Sequence, residues 1–265
     1  MTVKNVDGNG QNAGNNTTGA LYNEMTAQGL FLFRWRSYLP LLFVIMMILV
    51  LYTYEPLFDN PVKKLCWQLL ALLIGLIGLI IRSLVIGYAP ARTSGRNVRE
   101  HIADTLNTSG MYALTRNPLY LGNFFMWLAP LLLLHNIFLA IIYLLLFVLY
   151  YERIVASEET FLISKFGTQY QDWAGKTPFL FPRCCYWKKP ELPFSWKTVI
   201  RREYHGLYGL IVSMTAVVAI CDFIVCKHFV INPVWTGIFI FGTLVYITVR
   251  IVVKTTRVLN VAGRH

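Results

Sequence analysis

The chain has 265 residues, of which 56% are hydrophobic and 14% charged, with a mean hydropathy of +0.51 and a net charge of +11. A soluble domain averages about 25% charged residues, so this composition excludes an ordinary globular protein. It points to an all-α, polytopic membrane protein.

Residues 1–30 begin with an Asn-, Gly- and Thr-rich stretch that lacks the apolar core of a signal peptide, and they are expected to form a disordered polar tail. From Tyr38 to Tyr54 there are 17 residues without charge, the first candidate span. Cys66 to Tyr88 is a 23-residue run carrying one charge, Arg82. Leu119 to Tyr151 is a 33-residue uncharged run broken only by Pro130 and by His135-Asn136. A hydrocarbon core takes about 20 residues per helix, so this run predicts two short helices folded back at His135-Asn136. Gly206–Val225 and Pro233–Val249 complete an expected set of six spans. No Gly or Pro interrupts Ile137–Phe166, which predicts one helix of about 45 Å whose last turns project beyond the membrane.

With the N-terminus cytoplasmic, six spans put residues 89–117, 152–205 and 250–265 on that side. Of the 24 Lys and Arg, only Lys63, Lys64 and Lys227 then lie opposite. The basic residues thus read as orientation signals and contacts for anionic membrane lipid, and they argue against a nucleic-acid partner. The five cysteines show no metal spacing, so no metal site is expected. Two polar segments, 87–122 and 152–182, hold most of the side chains able to do chemistry. In the first, Asn117-Pro118 reads as a capped helix start whose free N–H groups favour an anion. In the second, the adjacent acids Glu158 and Glu159 ask for a cation nearby.

Together these segments resemble the isoprenylcysteine carboxyl methyltransferase and phospholipid methyltransferase superfamily. The residues that carry the resemblance are Thr108-Ser109-Gly110-Met111-Tyr112, Arg116-x-Pro118-x-Tyr120-x-Gly122, Glu158-Glu159-x-x-Leu162 and Phe166-Gly167-x-x-Tyr170. Asn117 stands where the family has His. The resemblance covers residues 70–182, within a methyltransferase domain placed at 31–182. Residues 183–265 are left as a basic loop and two additional transmembrane helices.

The resemblance implies S-adenosyl-L-methionine as cofactor, held by Tyr112, Arg116, Asn117, Pro118, Tyr120, Gly122, Glu158 and Glu159. It also implies catalytic roles for Arg116, Arg153 and Glu158. Arg92, Arg96 and Arg99 are the candidate substrate-binding residues, because guanidinium pairs with phosphate or carboxylate in a bidentate way. An anionic acceptor needs no general base, whereas an amine acceptor must first lose a proton. The expected reaction is therefore O-methylation of an amphipathic lipid. Residues 91–123 look closest to bacterial members of the family such as a lipid A 1-phosphate methyltransferase. A prenylcysteine carboxylate is the next candidate, then a phospholipid amine, then a transporter or a lipid-binding protein without catalysis. Oligomeric state is left open.

Overall fold

The computed structural model describes residues 12–36, 38–90, 103–183 and 186–264, and every regular element among them is helical. In chain order the helices are α1 (Asn12–Trp35), α2 (Leu39–Leu51), α3 (Pro61–Tyr88), α4 (Met111–Leu114), α5 (Pro118–Leu132), α6 (Ile137–Phe166), α7 (Thr168–Ala174), α8 (Trp196–Cys226) and α9 (Pro233–Thr255). Asn-Pro pairs open three of them. The Asn60 carboxamide accepts from the amides of Val62 and Lys63, and Asn232 from those of Val234 and Trp235. Both satisfy donors that a helix start leaves orphaned, while the following Pro has no donor to lose. The α5–α6 hairpin turns at His135-Asn136 as expected, with Asn136 capping Leu139. α6 runs unbroken to Gly167, whose positive φ of 53° ends it.

α3, α6, α8 and α9 are long and apolar enough to cross a membrane. Among the described residues four of the six expected spans reach that length, while α2 and α5 are shorter apolar helices of 13 and 15 residues. They rise about 20 and 22 Å, short of a core of about 30 Å. α1 makes up the shortfall of α2. It lies antiparallel to α6, with the Tyr22 hydroxyl near the Ala156 carbonyl (3.4 Å) and the Tyr150 hydroxyl donating to Leu32 O (3.0 Å). α2 then continues down the same helix, with Phe43 edge-on to Tyr143.

The expected disordered tail is thus overturned for residues 12–30, which belong to α1. The close contact is made at Gly29, where a Cβ would lie 1.9 Å from the Arg153 carbonyl oxygen. Composition alone hides a helix that docks through a glycine.

α3 sits at the centre, antiparallel to both α5 and α8. Gly78 and Gly122 meet where α3 crosses α5: a Cβ on Gly78 would lie 2.4 Å from the Gly122 oxygen. Small residues let membrane helices approach this closely. At one end of the bundle Lys64 pairs with Asp222, and the Trp67 indole donates to Leu132 O. At the other end the C-terminus of α3, the starts of α5 and α8 and the last turns of α6 come together. There Ser195 N donates to Gly87 O, Arg116 N to Pro178 O, and Arg264 to Gly87 O and Pro193 O. The described parts of both polar segments lie at this end. Leu70, Leu73, Ile77, Leu145, Phe241 and Leu244 face outward, as lipid-facing residues should. About 20 residues of α6 fill a hydrocarbon core, so residues 157–166 project beyond it.

Candidate active site

The start of α5 is fixed from outside the helix. Arg116 N donates to Pro178 O at 2.9 Å, and Asn117 Nδ2 donates to Phe179 O at 3.0 Å. Asn117 occupies the N-cap position, but its side chain makes no capping bond, because the carboxamide is spent on that loop. Beside this junction is a cavity of about 360 Å³, within the range of small-molecule sites. It reaches from the loop end, at Arg116, Glu159, Tyr170 and Trp173, to a floor made of Arg82, Asn123, Tyr151 and Glu203. Arg116 and Asn123 are seven residues apart, about 10 Å along α5.

An ion pair stands at each end. Arg116 Nη1 lies 2.6 Å from Glu159 Oε1, both half-buried. Arg116 Nε and Trp173 Nε1 are nonetheless buried without a hydrogen bond. At the floor, Arg82 donates to both Glu203 oxygens at 2.7 and 2.8 Å, and its Nη1 donates to Asn123 Oδ1 at 2.5 Å. Asn123 Nδ2 in turn donates to the Tyr151 hydroxyl at 3.3 Å. Between the two pairs, the Tyr120 hydroxyl donates to Glu158 Oε1 at 2.6 Å.

Burial pushes the Glu158 carboxyl up to about 7, against the opposing pull of the Tyr120 hydrogen bond and the Arg36 charge. Folded Glu158 therefore keeps its proton to about pH 7, while an unfolded Glu releases it near 4.5. Its contribution to stability falls as pH rises through that window, by at most about 3 kcal/mol. The melting temperature of the wild type should drop from pH 4.5 to 7 relative to Glu158→Gln, and parallel curves would show that Glu158 ionises normally.

Of the residues expected from the sequence, Tyr112, Arg116, Asn117, Pro118, Tyr120, Glu158 and Glu159 line this cavity. Gly122 does not: it faces α3, where a Cβ would lie 2.5 Å from Arg82 Cγ. Arg153 does not either. It lies about 140° around α6 from Glu158, and its side chain donates to Gln28 Oε1 and Leu149 O, each at 2.8 Å. Arg92, Arg96 and Arg99 lie outside the described residues. Sequence reasoning passed over Phe33, Arg36, Asn123, Tyr151, Trp173, Arg202 and Glu203, all in the cavity wall. Arg82 carried a usable signal, as a lone charge in an apolar span usually faces the bundle interior and finds a partner.

Residues 68–169, which supply α4, α5, α6 and most of α3, match the phospholipid methyltransferase family. This segment is similar to the isoprenylcysteine and phospholipid methyltransferase superfamily. It is 34% identical over 90 residues to a protein-S-isoprenylcysteine O-methyltransferase of Schizosaccharomyces pombe, covering 34% of this chain and 36% of that one. A nickel-cobalt-cadmium resistance protein of Alcaligenes xylosoxydans xylosoxydans is 33% identical over 118 residues, covering 44% of this chain and 53% of its own. A cobalt-zinc-cadmium resistance protein of Cupriavidus metallidurans is 31% identical over 114 residues, 43% of this chain and 50% of its own. The chain thus spans about half the length, or less, of these curated relatives. No solved structure matches it. The superfamily segment carries the Arg116–Glu159 end of the cavity and Arg82, whereas Arg36, Arg202 and Glu203 come from helices or breaks outside it.

Proposed function

We propose that this protein is an S-adenosylmethionine-dependent membrane methyltransferase that transfers a methyl group to an oxyanion on a membrane amphiphile. The observation that carries this reading is the loop end of the cavity, where two buried donors lack a partner beside the Arg116–Glu159 ion pair. The Arg116 Nε and Trp173 Nε1 donors suit the cofactor's carboxylate, and the charge of the Glu159 carboxylate suits its amine. The residues present therefore fit the cofactor. When bound, it supplies a methyl group from its sulfonium: an acceptor oxygen lone pair forms the new C–O bond while the S–C pair remains on sulfur.

The chain's own work is positioning and charge. Arg116 orients the bound group, and Glu158 and Glu159 offer carboxylates to its cationic parts. Cavity-lining Arg36, Arg82, Arg116 and Arg202 stand against Glu158, Glu159 and Glu203, a surplus of positive charge that favours an anionic acceptor. A lipid phosphate such as lipid A 1-phosphate fits first and a prenylcysteine carboxylate second. Glu158, with a pKa near 7, also suits a general base, which supports a phospholipid amine as the third reading. By the positive-inside rule the cavity end faces the cytoplasm, where the cofactor is made.

Purified protein in detergent is expected to bind S-adenosylmethionine with micromolar affinity and to transfer radiolabelled methyl groups to a lipid extract as O-methyl esters, base-stable on a phosphate and base-labile on a carboxylate. No binding at millimolar cofactor by folded protein overturns the enzyme reading. Label found only in lipid amines replaces O-methylation by N-methylation.

A further inference from the structure

α8 lies outside residues 68–169, yet it supplies two charged residues, Arg202 and Glu203, to the cavity floor. Glu203 is buried, and its carboxylate holds the Arg82 guanidinium through two bonds. Asn123 takes a third donor. Arg has five N–H groups, so two remain, on a side chain that is 23% exposed although it sits inside the bundle. That exposure is to the cavity, which Arg82 lines. Arg202 lines it from the neighbouring position on α8.

A membrane helix seldom brings a buried acid merely to neutralise an Arg. Such groups inside a bundle are expensive and mark functional paths. The loop end already has its own donors and acids, about 10 Å away along α5.

We infer that α8 is the acceptor-reading element of this enzyme: Arg202, with Arg82 oriented by Glu203, binds the oxyanion of the methyl acceptor at the cavity floor. The inference rests on the methyl-transfer reading and adds to it which helix selects the substrate. Arg202 and Arg82 touch the acceptor, and Glu203 is a positioning residue. The ligand chemistry is a phosphate or carboxylate tethered to an apolar chain. Both sources present two coplanar oxygens to a guanidinium. Because α8 is separate from the superfamily segment, the cofactor end and the acceptor end are built from different parts of the chain.

The test is binding by full-length protein in detergent micelles, with phosphatidic acid and N-acetyl-S-farnesylcysteine as the two oxyanion probes and phosphatidylcholine as reference. S-adenosylmethionine binding is measured in parallel. Wild type should bind one of the oxyanion probes at least tenfold more tightly than phosphatidylcholine, and which one identifies the source. Arg202→Gln should lose at least tenfold of that affinity with cofactor affinity kept within about twofold, and Arg202→Lys should recover part of it. Glu203→Gln strands the Arg82 charge, so Arg82→Gln/Glu203→Gln, which removes both charges, is measured beside it and should show the same selective loss. Unchanged probe affinity in Arg202→Gln, or an equal loss of cofactor affinity, overturns the inference. Wild type that binds the cofactor but prefers neither oxyanion overturns it too. Wild type that binds no cofactor instead removes the methyltransferase reading on which it rests.

Discussion

Replacing Gly78 with alanine is expected to destabilise the bundle by roughly 3 kcal/mol, about a hundredfold in the folding equilibrium. The added Cβ would sit 2.4 Å from the Gly122 carbonyl oxygen and 2.9 Å from Met126 N. These are backbone atoms of the facing helix and cannot rotate aside, so α3 and α5 must separate. Their separation also pulls Arg82 from Asn123, which ties packing to the cavity floor. Gly209→Ala and Gly237→Ala are the controls. They are helical glycines whose Cβ meets nothing within 4 Å, so alanine there should be neutral or stabilise by up to about 1 kcal/mol. Melting curves in one detergent check all three, and a Gly78→Ala curve matching the controls would show that the crossing is looser than described.

The second large effect is expected at Arg116. Arg116→Ala removes a buried Nε donor and the partner of Glu159, and cofactor affinity should fall about a hundredfold, equivalent to about 2.7 kcal/mol. Truncation also leaves Glu159 without its counter-charge, which mixes a local penalty into the loss. Comparing it with Arg116→Ala/Glu159→Gln separates the two contributions. If the donor matters most, the double variant binds no better than the single one. Thermal stability should change little in either, since both side chains open onto the cavity instead of a packed core. Calorimetry with the cofactor measures the first quantity, and retention of wild-type affinity in Arg116→Ala would relocate the cofactor site.

Much of the site end was legible from local signals. The α5–α6 turn shows in the sequence because His135-Asn136 interrupts 33 uncharged residues. The length of α6 follows from the absence of Gly and Pro before Gly167. Arg116, Tyr120, Glu158 and Tyr170, which line the cavity, each sit in a short motif whose order along the chain is distinctive. What stayed hidden depends on distance. Arg82 and Glu203 are 121 residues apart, and no periodicity links them. Gly122 and Arg153 stand away from the cavity, because a motif records which residues are near one another in sequence, not which way round a helix each one faces. α1 was missed because its opening residues are too polar to suggest a helix, and what holds it is a glycine set against the backbone of α6.

Tyr151 is fourteen residues along α6 from Ile137, about 21 Å from that end of the helix. A lipid core about 30 Å thick therefore ends some 9 Å above the level of Tyr151, Asn123 and the Arg82–Glu203 pair. If the proposed acceptor is a lipid headgroup, it must be drawn to that depth beneath the surrounding headgroups without leaving its own leaflet, and nearby lipids must dimple or tilt to follow it. Thin or loosely packed bilayers make such a dimple easier to form, so on that proposal turnover should depend on the thickness of the surrounding membrane.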